Sequence, residues 1–179
     1  MCGAGEPERY YIAAYRDSED KYYYLTSDLE DNKRYQAVAA NILPSNIDPD
    51  AVESNYVFLL TDNGNGTFYL QAENVTGNNY LTHTGTSNTG TYASLENAPK
   101  LTVDITDKGY YNIHFTSDEE RYLSLNGTRE NNFFAWYKGT QKQDLVLIPI
   151  EEAEDMTATL YGDGRSSMPC AKSTTQSPP

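Results

Sequence analysis

Between residues 10 and 150, apolar and polar positions alternate in short runs of five to seven residues, rich in Tyr, Phe, Val, Ile and Thr. A period of two is the signature of a half-buried strand. Twelve such runs can be marked. They are Tyr10–Tyr15, Tyr22–Ser27, Arg34–Ala39, Tyr56–Thr61, Thr67–Glu73, Asn79–His83, Gly90–Ser94, Lys100–Ile105, Gly109–Phe115, Arg121–Leu125, Asn132–Tyr137 and Asp144–Ile150. Turn residues separate them, most densely at Thr61–Gly66 and Thr106–Gly109, where Gly and Asn tolerate the positive φ of a tight hairpin. No long stretch repeats apolar residues at helical spacing before Ile150–Met156, which has room for one or two helical turns. The pattern predicts an all-β chain.

The runs also repeat. Tyr24-Leu25, Tyr80-Leu81 and Tyr122-Leu123 are each followed by an Ala thirteen positions after the Tyr, namely Ala37, Ala93 and Ala135. Both sets are spaced by 56 and 42 residues, which divides the chain into units of about 9–63, 64–107 and 108–150. The extra length of the first unit falls in Asn41–Asp50, which holds two Pro and no alternation and reads as a loop insertion. Tyr24, Tyr80 and Tyr122 read as repeated structural anchors. Residues 151–179 lie outside the repeat and end in Ser, Thr, Gln and Pro, a tail or linker composition.

Twelve short strands in three groups of four resemble a β-trefoil, and the Gln143-Asp144-Leu145 segment resembles the Gln-x-Trp signature of the ricin B-type lectin superfamily. That signature stands at the start of each fourth strand. The third unit keeps its Gln and has Leu for Trp, while Ser54-Asn55-Tyr56 and Pro99-Lys100-Leu101 occupy the place in the other units. The resemblance implies a closed barrel capped by hairpins, a non-catalytic module, and a carbohydrate ligand held best by the third unit.

Alternation assigns faces to the third strand of each unit. With the shared Ala inward, Tyr35, Ala37, Ala39, Phe133, Ala135 and Tyr137 point in; Gln36, Val38, Tyr92, Ser94, Phe134 and Trp136 point out. An exposed flat ring stacks on the C–H face of a sugar while neighbouring amides and charges bind its hydroxyls. The candidate ligand-binding set is therefore Tyr92, Asn126, Phe134, Trp136, Lys138 and Gln143. The competing reading of Trp136 is a cap on the barrel end that touches no ligand.

Composition narrows the partners. With 13 Lys and Arg against 26 Asp and Glu the net charge is −13, which disfavours nucleic acid and anionic membranes. No apolar run has the ~18–20 residues of a membrane-spanning helix. Cys2 and Cys170 stand near opposite ends and suggest neither a disulfide framework nor a metal site. His83 and His114 fit structural strand positions, and no third ligand stands at metal spacing. No nucleophile elbow or phosphate-cradling loop occurs, so neither catalysis nor a cofactor is expected. Asp17–Asp20 and Asp118–Glu120 read as solvated turn charge.

Met1–Pro7 lacks a basic region followed by an apolar stretch, so an extracellular or cell-surface setting is expected only if the chain is part of a longer one. The leading expectation is a carbohydrate-binding module, within a larger secreted or surface protein. The alternative is a protein-binding trefoil, such as a protease inhibitor, acting through the Asn41–Asp50 loop.

Overall fold

The structure, a computed structural model, describes residues 6–126, 131–139 and 142–151. Cys2, Cys170 and all but the first residue of the 151–179 tail lie outside them. Twelve strands form: β1 (Glu8–Arg16), β2 (Lys21–Glu30), β3 (Arg34–Ala40), β4 (Phe58–Asp62), β5 (Phe68–Ala72), β6 (Tyr80–Thr82), β7 (Thr91–Ala93), β8 (Leu101–Ile105), β9 (Tyr111–Phe115), β10 (Arg121–Leu125), β11 (Phe133–Lys138) and β12 (Leu145–Pro149). Each coincides with one of the alternating runs.

Six strands close a ring. β1 pairs with β4, β4 with β5, β5 with β8, β8 with β9, β9 with β12 and β12 with β1, every pair antiparallel. Closure leaves no open edge, which is how many short strands become stable together. The other six form the hairpins β2–β3, β6–β7 and β10–β11, joined to the ring at β1, β5 and β9 respectively. This is the expected β-trefoil arrangement. Ile12, Leu70, Leu101, Ile113 and Leu145 from the ring fill one core together with Leu25, Leu81 and Leu123 from the hairpins.

The recurring Tyr-Leu pair works through its second member. Leu25, Leu81 and Leu123 are all fully buried, whereas Tyr24 and Tyr80 are half-buried. Tyr24 packs instead against Tyr11 and Tyr56, with ring centroids 5.5 and 5.2 Å apart, outside the main core. Tyr122 is buried beside Leu123 on a strand covered on both faces, so of the three Tyr anchors only this one is a core residue, and the position buried in all three units is the Leu. The shared Ala does not hold one register either. Ala37 pairs with Leu25, but Ala93 and Ala135 pair with Tyr80 and Ser124, so each hairpin closes in its own register, the first with a bulge between Leu25 and Leu29.

The face assignment of β11 is overturned. Phe134 and Trp136 have no exposed surface, and Phe133 and Ala135 on the other face are buried as well. Alternation carries no information on a strand covered on both sides. β3 keeps Tyr35 inward and Val38 outward as expected, while Ala39 is exposed.

The three hairpins meet around Tyr35. The proton of its hydroxyl is shared between the carbonyl oxygens of Thr91 (2.7 Å) and Thr82 (3.0 Å), and the oxygen accepts from Trp136 Nε1 (3.2 Å). Burial pushes its phenol well above the ordinary range. The ring lies over Gly90, where a Cβ would come within 2.5 Å of Cε2. Only a residue without a side chain fits under it.

The Asn41–Asp50 loop is strapped to the ring. Ile47 is buried with Tyr11, Val57 and Ile148, its amide donates to the Pro149 carbonyl (2.8 Å), and Tyr11 Oη accepts from the Glu53 amide (2.5 Å). Replacing Trp136 by Ala removes the largest fully buried side chain and is expected to cost ~3–5 kcal/mol. Tyr35→Phe, which strands three polar partners, is expected to cost ~1–3 kcal/mol. Denaturant midpoints of both variants against the parent chain check the ranking.

Candidate functional site

The candidate residues do not converge. Trp136 and Phe134 are core. Asn126 is buried too, and its work is structural: Oδ1 accepts from Arg16 (2.8 Å) and from the Phe133 amide (3.1 Å), while Nδ2 donates to the Asn131 carbonyl (2.6 Å). Tyr92 packs against Tyr35 at 5.6 Å between centroids and donates to the Ser27 carbonyl (2.5 Å). Lys138 is exposed and paired with Asp118 at 3.0 Å. Of the six, Gln143 lines the cleft at the start of β12.

That cleft, of about 590 Å³, is bounded by Tyr15, Asp17, Asp20, Tyr22, Tyr110, Lys142, Gln143, Asp144 and Val146. Its residues come from distant parts of the chain, and strand register brings them together. Ala14 pairs with Leu145, and Leu145 with Tyr111. Tyr15 follows Ala14, Asp144 and Val146 flank Leu145, and Tyr110 precedes Tyr111, so all four stand beside this meeting of the two ladders. Tyr22 faces Tyr15 directly across the β1–β2 hairpin, with ring centroids 5.0 Å apart and planes tilted by 59°.

The Asp17–Asp20 turn forms the acidic rim. Asp20 sits at φ 55°, a left-handed conformation that Asp tolerates better than most residues. There its carboxylate accepts a hydrogen bond from the Tyr15 hydroxyl. Across the cleft, Asn112 Nδ2 donates to the Gln143 carbonyl (2.7 Å) and to Asp144 Oδ1 (3.0 Å). Gln143 Oε1 accepts from the Leu125 amide (3.2 Å), tying this wall to the third hairpin. Leu145, in the place of the signature Trp, is fully buried in the core.

Chemically the cleft offers flat, partly exposed aromatic surface and a rim of carboxylates and an amide. Tyr15, Tyr22 and Tyr110 stood outside the expected set because nothing local marks them, and Asp17 and Asp20 were expected as turn charge, a position they keep at the cleft rim. The one signal that reached the cleft was the Gln of the degenerate signature. Among the described residues no cluster of three metal-ligating side chains exists, and none of their helices is long and apolar enough to cross a membrane.

A closed six-strand ring with three hairpins defines a β-trefoil, and the chain resembles the ricin B type in fold. No protein-family model and no curated protein matches its sequence. Among solved structures it is similar to the Macrolepiota procera ricin B-like lectin (MPL) in complex with lactose. The TM-score is 0.51 at 14% identity, over 79% of this chain and 95% of that one. It is similar also to lysenin in complex with phosphocholine, with a TM-score of 0.52 at 10% identity over 81% of this chain and 45% of that one. The lysenin pore gives 0.50 at 11% identity, over 80% and 46%. The chain thus spans less than half the length of the lysenin chains. At such identities the likeness is one of fold.

The Tyr15–Asp20 contact has a measurable consequence. The hydrogen bond to Asp20, with desolvation and the Asp20 charge behind it, pushes the Tyr15 phenol from 10.0 up to about 12. A raised folded-state value means the folded chain holds this proton more tightly than the unfolded one, so the contribution is present below pH 10 and lost as pH rises through 12. Following the Tyr15 ring carbons by NMR should show it ionising near pH 12, and Asp20→Asn should bring its titration back toward 10.

Proposed function

We propose that this chain is a non-catalytic carbohydrate-binding module whose ligand occupies the cleft between the β1–β2 turn and the start of β12. The observation that carries this reading is the coincidence, in one cleft, of the Tyr15–Tyr22 ring pair and Tyr110 with Asp17, Asp20, Asp144 and Gln143. A sugar needs both kinds of surface. Its C–H face is covered by an aromatic ring, and its hydroxyls donate to carboxylate and amide oxygens. The fold supports the reading, since it is similar to that of a ricin B-like lectin in complex with lactose. Binding asks only for stacking and hydrogen bonding, and the described groups of the cleft offer these. Trp136, Phe134 and Asn126 have no part in the ligand contact, because their surface is already spent on the core and on Arg16.

A glycan array followed by calorimetry with its strongest hit, with lactose as the first soluble probe, tests the proposal. Tyr15→Ala and Asp17→Asn are expected to weaken binding by about tenfold or more, the scale of one lost stacking or charge-assisted contact. Absence of binding to every glycan, or binding indifferent to both changes, overturns it.

A protein partner is the second reading, favoured by Ile42. This residue is 83% exposed on a loop that Ile47 pins to the ring. An exposed apolar residue on a fixed base is the form of a docking loop. Ile42→Asp should abolish any protease inhibition or partner capture and leave glycan binding unchanged, and an assay of both activities on the one variant decides between the readings.

A further inference from the structure

A second cleft lies at the far end of β2. It measures about 580 Å³ and is bounded by Lys33 and Arg34 at the β2–β3 turn, Thr84 and Ser87–Thr89 in the β6–β7 loop, and Phe133 and Tyr137 on β11. It resembles the first cleft in volume and in having aromatic walls, and opposes it in charge. Two cations line it and, among the described residues, no carboxylate does. The chain carries twice as many acidic as basic residues, so a cleft of this composition runs against the bulk of the molecule.

The cations are presented rather than consumed. Lys33 is exposed, and its ammonium has no ion pair among the described residues. The Arg34 guanidinium carbon lies over the Phe133 ring, 4.5 Å from its centroid, a cation–π contact that uses the ring face and consumes none of the five N–H donors. Its partner Asp31 stands 3.7 Å away with a side chain 71% exposed, a solvent-screened pair of little strength. The polar wall is set to donate as well. Asn88 Oδ1 is taken by the Lys138 amide at 3.1 Å, so the amide nitrogen is the end left for a ligand. The floor is aromatic, and Arg34 is close enough to Tyr137 to act against the upward effect of burial on its phenol.

A guanidinium fork, an ammonium and an amide donor around one space match the three oxygens of a phosphate or sulfate ester. The aromatic floor suits a ring that carries the ester. We infer that this second cleft binds a sugar bearing a phosphate or sulfate ester, independently of the acidic cleft at the other end of β2.

Titrations of the purified chain with glucose 6-phosphate, glucose 6-sulfate and glucose at low ionic strength test this, read by calorimetry and by amide NMR shifts. Both esters should bind saturably and glucose should not. Lys33→Gln and Arg34→Gln should each weaken the esters by about tenfold or more, Arg34→Lys by less than Arg34→Gln, and added salt should weaken them progressively. Tyr15→Ala, in the acidic cleft, should leave ester binding unchanged. Emission from Trp136, the single Trp, reports whether each variant keeps its core. Failure of both esters to saturate overturns the inference, as does equal binding by a folded Lys33→Gln/Arg34→Gln double variant. Loss of ester binding in Tyr15→Ala places the anion in the first cleft and overturns it equally.

Discussion

The Tyr35 hydroxyl sits where three hairpins converge and bonds to two of them, through the Thr82 and Thr91 carbonyls and the Trp136 indole. Around it the backbone closes a circuit. Gly90 donates to the Lys33 carbonyl (2.5 Å), Trp136 to the Thr89 carbonyl (2.9 Å), and Ala37 to the Asn132 carbonyl (3.0 Å). Each bond runs from one hairpin to another, so no hairpin is held only by its own ladder. Hairpins of two short strands are marginal alone. The fully buried phenol makes the convergence specific, because a polar group without water must find all its partners in one geometry.

Both clefts depend on that geometry. The basic cleft lies between elements that the circuit ties together, since Lys33 and Thr89 belong to it through their carbonyls and also form the cleft wall. The acidic cleft lies on the ring instead, where the β1–β12–β9 ladders bring Tyr15, Asp144 and Tyr110 to one rim. The buried Arg16 couples the two regions. It spans from the β1–β2 turn, through Glu19 at 3.1 Å, to Asn126 and Asn132 on the third hairpin at 2.8 and 2.5 Å. A strong charge is tolerated there because carboxylate, amide and carbonyl oxygens surround it and the Tyr23 ring lies 4.7 Å away.

The strands were legible because alternation and turn chemistry are local, and every run that alternates became a strand. The register of the third strands was not. Each hairpin closes in a different register, the first with a bulge between Leu25 and Leu29, and β11 is covered on both faces; none of this leaves a mark at period two. Trp136 looked like a binding residue because it is the single Trp beside polar neighbours, yet its indole N–H had a partner 101 residues away. Gln143 was found because a family pattern points to it. Tyr15, Tyr22 and Tyr110 are three among sixteen, and only tertiary register tells them from tyrosines that pack into the structure, such as Tyr11 and Tyr35.

The pairing of β1 with β12 has a further meaning. Ile150 donates to the Arg9 carbonyl at 3.1 Å, Tyr10 lies opposite Pro149, and Arg9 also lies opposite Leu59 on the other side. The first and last strands are therefore ordinary neighbours within the ring, hydrogen-bonded like any other pair. A closed ladder has no seam: the place where the covalent chain enters and leaves is an accident of connectivity. Bridging residue 151 back to residue 8 with a short turn, and opening the backbone at an exposed turn such as Gly64–Gly66, would keep every strand pair of the ring. In the same way, the side-by-side entry and exit make the barrel a unit that another protein's loop can carry as an insert.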